Sequence, residues 1–134
     1  MKKLLKITIL LTALSMAVLF MSCSGANASN DVKYSEPVIF IGTEDGGAAI
    51  VTYKGIFNPD DTFRFESAVN AYAEETDYEG TYTGNAAIDG EITITILKKR
   101  ILRDLLDYTG DDAVQTLTIT NGKFTFDLTE YTRQ

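Results

Sequence analysis

From Phe63 to the end of the chain, apolar and polar side chains keep trading places. Phe63 and Phe65 alternate with Arg64 and Glu66; Ile92, Ile94 and Ile96 alternate with Thr93 and Thr95; Phe124, Phe126 and Leu128 alternate with Lys123, Thr125 and Asp127. Period two is the signature of a strand, whose successive side chains point to opposite faces. Turn chemistry divides the runs. Gly42 and Glu44-Asp45-Gly46-Gly47 end the apolar run Val38-Ile39-Phe40-Ile41, and Asn58-Pro59-Asp60-Asp61 follows the β-branched and aromatic stretch Ala49 to Lys54. Glu75-Thr76-Asp77 is a further turn, and Asp89-Gly90 and Asn121-Gly122 are expected hairpin tips, as is Asn58–Asp61, Asn121-Gly122 being the strongest two-residue hairpin signal. The count is about seven or eight strands with tight connections. The fold class is therefore all-β: an antiparallel up-and-down meander, closed as a barrel because sequential hairpins lie side by side and closure removes edges. A β-sandwich is the alternative.

Two stretches refine this expectation. Phe63, Phe65, Ser67, Val69, Ala71 and Ala73 fall on one face, and Tyr78, Gly80, Tyr82, Gly84 and Ala86 fall on another. Glycines within a strand mark a bend or a close backbone approach. Lys98 to Asp107 is less regular, with apolar residues at Ile101, Leu102, Leu105 and Leu106. That spacing predicts one short helix near 99–107, although its bases come first and its acids last, against the helix dipole. A further strand pair is the alternative.

The first residues belong to a different grammar. Lys2, Lys3 and Lys6 precede an uncharged apolar run from Ile7 to Met21, and Ser22, Ser24, Asn27, Ser29 and Asn30 follow. The run is shorter than the roughly 20 apolar residues of a spanning helix, and basic start, apolar middle and small polar exit are the parts of a secretory signal peptide. Phe20-Met21-Ser22-Cys23 resembles the lipobox of bacterial lipoproteins, with Phe20 and Met21 departing from the usual Leu and small residue. The resemblance implies acylation of Cys23 and cleavage before it. Ala26-Asn27-Ala28 offers ordinary cleavage instead, which would release a soluble periplasmic or secreted protein. The organisation is then a signal peptide over 1–22, a lipidated Cys and flexible tether over 23–36, and a β-barrel domain over 37–134. About ten extended residues span roughly 30 Å, so the tether lets the domain stand clear of a membrane.

Removing 22 of the 134 residues leaves 112, enough for one small domain. It also removes three lysines and no acid, taking the formal charge from −7 to −10. Phosphate backbones repel such a body, so nucleic acid is not an expected partner, whereas a basic protein is favoured on charge. The chain has no His, no Trp and a single Cys. Cys/His zinc sites, His acid–base catalysis and Ser–His or Cys–His nucleophiles are excluded. No cofactor is expected, and an enzyme is the least favoured class.

Candidate sites are few. Phe63, Phe65, Tyr78, Tyr82, Phe124 and Phe126 are expected to face one interior. Small barrels fill themselves with side chains, which makes these rings a core; a pocket lined by rings for a small apolar ligand is the functional reading. Glu74, Glu75, Asp77 and Glu79 crowd one turn without the spacing of a calcium loop, and read as solvated charge, so no metal site is assigned. Lys98-Lys99-Arg100, the one basic run, reads as a solvated loop.

Thr62-Phe63-Arg64-Phe65, Gly80-Thr81-Tyr82-Thr83-Gly84, Asp89 to Thr95, Gly122-Lys123-Phe124-Thr125 and Tyr131-Thr132-Arg133-Gln134 together resemble small bacterial lipoproteins with lipocalin-like bodies. The resemblance covers most of Thr62 to Gln134 and carries over no catalytic residue. It implies an up-and-down barrel. The expected function is that of an envelope protein held to a membrane through lipid on Cys23, with a lean to the outer membrane because Ser24 and not Asp follows the Cys, acting as a binding or interaction module, for instance for a small apolar ligand. An acidic inhibitor or decoy of a basic extracellular protein is the alternative. Oligomeric state is not legible.

Overall fold

The computed structural model of the chain describes residues 34–134. The expected signal peptide, Cys23 and most of the expected tether lie outside the described residues. Nine strands follow in order: β1 (Val38–Asp45), β2 (Ile50–Phe57), β3 (Thr62–Val69), β4 (Glu75–Thr83), β5 (Gly90–Ile101), β6 (Asp104–Asp107), β7 (Val114–Ile119), β8 (Lys123–Phe126) and β9 (Thr129–Arg133). No helix occurs among the described residues.

All pairings are antiparallel and form one sheet, in the order β6-β5-β4-β3-β2-β1-β9-β8. The long β5 is shared: its first half pairs with β7 (Gly90 opposite Ile119, Thr95 opposite Val114) and its last residues pair with β6. Since β7 runs into β8 through Asn121-Gly122, and Thr120 bridges Lys123, the sheet curls until its two ends meet. The result is a barrel-like body, not two packed sheets. First and last strands are neighbours, with Phe40 opposite Arg133.

The alternation reaches the core as expected. Ile92, Ile94 and Ile96 are buried on β5, Leu117 and Ile119 on β7, and Phe124 and Phe126 on β8. Phe40, Phe57, Phe63 and Phe65 are sealed almost completely. The rings pack edge-on or stacked: Phe57 meets Tyr82 with centroids 5.1 Å apart, and Phe124 stacks on Tyr131 at 5.0 Å. Such pairs add to the burial of large apolar area. Gly80 sits where β4 and β5 slip register, Glu79 opposing Lys98 while Gly80 opposes Ile96. A Cβ there would lie 1.9 Å from the Thr95 carbonyl oxygen, so this glycine permits the close approach that bends the sheet.

Five local expectations need correction. Glu75-Thr76-Asp77 is not a turn: these residues open β4, which also carries Glu79, and the chain turns over 70–74 instead. The segment 99–107 is not a helix but the alternative, a further strand pair. β5 continues to Ile101, turns at Leu102-Arg103, and returns as β6 with Lys98 opposite Asp107 and Ile101 opposite Asp104. Ile101 before the turn, Leu102 within it and Leu105-Leu106 after it have the same spacing as one helical face, and pairing with β5 gives β6 a ladder along one edge. Asp89-Gly90 is not a hairpin tip: the connection from β4 to β5 runs over 84–89. Leu128 does not continue the inward face of β8. It occupies a two-residue turn with Asp127, φ 47° and 68°, and is 99% exposed. The inward face of β3 stops before Val69, which is 46% exposed, because Asn70 and Ala71 turn the chain in the left-handed region. Asn58–Asp61 and Asn121-Gly122 do form tips, the latter with φ 52° and 71°, as the mirror-image turn of a hairpin requires.

Candidate functional site

The barrel interior is filled, but one end is open. A cleft of about 760 Å³ lies among the ends of β1, β3 and β5, the start of β4, and the β5–β6 and β8–β9 turns. Phe65, Phe126 and Tyr131 reach it from the core and form its floor. Phe65 and Phe126 stack with centroids 4.5 Å apart, and Phe65 also meets Tyr131 at 5.3 Å. Half-buried Tyr53 and Tyr78 line it as well; Tyr78 stands edge-on to Phe126 at 5.2 Å.

Of the six rings expected to line a pocket, Phe65, Tyr78 and Phe126 reach this cleft. Phe63, Tyr82 and Phe124 do not; they belong to the packed core. The Tyr82 hydroxyl is turned to the opposite business of holding the Asn58 turn, donating to the Asn58 carbonyl at 2.7 Å and meeting the Tyr34 hydroxyl. Burial, then that hydroxyl pair, pushes the Tyr82 phenol well above the ordinary tyrosine range.

Polar groups ring the cleft. The Tyr53 hydroxyl donates to Glu44 at 3.1 Å, and the Tyr78 hydroxyl donates to Asp127 at 2.9 Å. Burial first, and the accepting carboxylate second, raise the ionisation of both phenols, so both remain neutral donors at physiological pH. Burial also raises Tyr131, followed by the charge of Asp77. Each carboxylate is thus oriented by a tyrosine from another part of the sheet. Sequence reasoning missed Tyr53, Tyr131, Glu44 and Asp127 here. Tyr131 carries the alternation signal of β9, whereas the acids look like ordinary turn residues.

The acidic and basic runs meet across β4 and β5. Lys98 pairs with Glu79 at 3.1 Å, Arg100 with Asp77 at 3.3 Å and with Glu75, and Lys54 reaches Glu74 at 3.5 Å. Arg100 also donates through Nε to the Thr76 carbonyl at 2.8 Å. Lys99 lies over the rings of Tyr78 and Tyr108, 5.4 and 5.3 Å from their centroids. The basic run is therefore not a solvated loop but a strand segment matched to the acids on its neighbour. Among the described residues, no group of three acids gathers as a metal site.

Comparison with family models, with curated proteins and with solved structures finds no match to this chain.

Proposed function

We propose that the chain is an envelope-tethered binding module of lipocalin-like build, its site being the end cleft. Lipid on Cys23 holds it to the membrane, leaning to the outer one, and the residues before Pro37 act as the tether. The observation that carries the reading is the cleft itself. Its volume of about 760 Å³ lies within the roughly 300–1,000 Å³ of small-ligand sites; its lining is mostly polar, with half-buried Tyr53 and Tyr78 the rings that present surface to it. A ligand would enter from the end, not along a hollow axis, because Phe63, Tyr82 and Phe124 fill the middle.

The test is ligand-linked stabilisation of the full chain in nanodiscs, screened against small aromatic compounds. A compound that binds only the folded state adds about 2.7 kcal/mol at a hundredfold excess over Kd. Ser67 lines the cleft, and Ser67→Trp should erase the hits by filling it. Hits that survive this change, or a blank screen, overturn the site. The anchor has its own test: Cys23→Ala should stop incorporation of labelled fatty acid, and a mature protein beginning at Ser29 would overturn the tether.

A second reading, the acidic decoy of a basic protein, draws on Glu44, Asp127 and Glu130, all exposed at the cleft end. Salt-sensitive capture of a basic protein beside a blank small-molecule screen would favour it.

A further inference from the structure

The mouth of the cleft has two apolar lips. Leu102, at the β5–β6 turn, is 94% exposed, and Leu128, at the β8–β9 turn, is 99% exposed; both line the cleft. Both also hold left-handed backbone, with φ of 63° and 68°, a conformation that leucine disfavours and that glycine or asparagine normally supplies. Neither side chain contributes to the core. Their apolar surface is left facing solvent.

Behind the lips the charge is one-sided. Glu44, Asp77, Asp127 and Glu130, the last also paired to Lys123 at 2.8 Å, line the cleft against Arg100, the single cation among the lining residues. That cation is spent, its guanidinium held by Glu75, Asp77 and the Thr76 carbonyl. The hydroxyls of Tyr53 and Tyr78 are spent too, given to Glu44 and Asp127. An anionic ligand would meet repulsion and no uncommitted cation. A wholly apolar one would strip water from carboxylates and return nothing. Tyrosine faces, in contrast, attract cations through their quadrupoles, and Tyr78 already holds the Lys99 ammonium 5.4 Å from its centroid.

We propose that the cleft takes small organic cations: an ammonium group on an aromatic or short alkyl body, with the charge set against Glu44 and Asp127 and the body covered by Leu102 and Leu128. The assignment rests on the reading of the cleft as the binding site, and narrows it to one ligand chemistry.

Three probes of one size separate the possibilities: phenethylammonium, 2-phenylethanol and phenylacetate, titrated calorimetrically into the full chain in zwitterionic nanodiscs, with empty discs subtracted. Phenethylammonium should bind about tenfold more tightly than 2-phenylethanol, the factor that two partly solvated ion contacts supply, and phenylacetate should bind most weakly. Raising salt from about 0.05 to 0.5 M should shrink that preference. The pair Glu44→Gln with Asp127→Asn, which keeps acceptors for both tyrosines, should bring the cation down to the affinity of the alcohol and leave the alcohol unchanged. The salt series uses the unaltered chain, so the outcome does not depend on how that variant folds. Equal binding of all three probes, or preference for phenylacetate, overturns the cation assignment and leaves the cleft as the site. Binding of none of them to the unaltered chain overturns the cleft as well.

Discussion

The carboxylate of Asp89 accepts the backbone N–H of Gly122 at 3.0 Å, locking a hairpin tip far along the chain to the connection between β4 and β5. Its other oxygen accepts the N–H of Asn121 at 2.6 Å, and the Arg133 guanidinium approaches at 3.3 Å. The bond from Gly122 chiefly, then those from Asn121 and Arg133, holds the Asp89 carboxyl below the usual carboxylate range. The contact ties the β7–β8 hairpin, which closes the sheet, to the loop before β5. It does the job of a seam where β7 and β8 share only the Thr120 bridge.

A depressed acid stabilises the fold above its unfolded pKa, near 3.9, and loses that contribution as pH falls through the folded value. Asp89→Asn should therefore be less stable than the unaltered chain at pH 7. The gap should begin to close as the pH drops below about 4 and vanish below the folded value, where both side chains are neutral. Denaturant midpoints of the two proteins between pH 7 and pH 2 check this. A gap that persists unchanged at the acid end would mean that the charge of Asp89 is not what holds the tip.

Much of this architecture was legible, and the parts that were not share a physical cause. Alternation names the inward residues of β5, β7 and β8 because each pleat has one wet and one dry side. Asn121-Gly122 names its turn because both residues accept positive φ. The Leu102 and Asp127-Leu128 turns are silent, since leucine at positive φ is not something local chemistry asks for. The strand pair at 98–107 was misread because Ile101, Leu102, Leu105 and Leu106 satisfy helix and hairpin spacing alike, and only the partner strands decide. The cleft was invisible for a related reason. Its walls come from several strands and two turns, and inward rings alternate identically whether they are sealed, like Phe63, or half-exposed at an opening, like Tyr78.

Gly80 gives a sharper test of the bent sheet. A methyl group there would collide with the Thr95 carbonyl and press on the Leu97 amide and the Phe63 ring. Backbone on β5 cannot yield cheaply, so Gly80→Ala should destabilise by about 3 kcal/mol, at the upper end for overpacking. Gly46→Ala is the control: a Cβ there meets only ordinary contact, 3.4 Å from the Ala49 carbonyl oxygen, and should stay within about 0.5 kcal/mol of neutral. Equal effects of the two changes in urea denaturation would contradict the close approach of β4 to β5.

Alkali should reach the same core from another direction. Tyr78, Tyr82 and Tyr131 are held neutral by burial first of all, whereas in the unfolded chain a tyrosine ionises near pH 10. A raised acid favours the fold below the unfolded pKa, and that contribution is lost as pH climbs beyond it. Phenolate absorbance should therefore lag above pH 11 and appear together with loss of the strand signal in circular dichroism. Tyr82→Phe should soften the decline while lowering stability at neutral pH, because the bond to the Asn58 carbonyl goes with the hydroxyl. Full ionisation of every tyrosine near pH 10 with the fold intact would show these rings to be open to water.

Leu128 separates what the fold needs from what the cleft uses. Being 99% exposed, its side chain has almost no burial to lose, so removing it costs no core contact. Its φ of 68° carries the left-handed penalty of roughly 1–2 kcal/mol for an L side chain, while glycine adds back part of that through its freer unfolded state. The balance favours the change: Leu128→Gly, which restores an Asp-Gly turn of the kind a two-residue hairpin prefers, should raise stability by about 0.5–1 kcal/mol. On a domain of this size that is a few degrees in Tm. The same substitution removes one lip of the cleft, so affinity for phenethylammonium should fall even as the protein melts later. Stability and binding moving in opposite directions is the pattern expected of a residue kept in a strained place for its surface. A variant that is both more stable and equally good at binding would show that Leu128 is only an awkward turn residue and that the ligand sits deeper, against the rings alone.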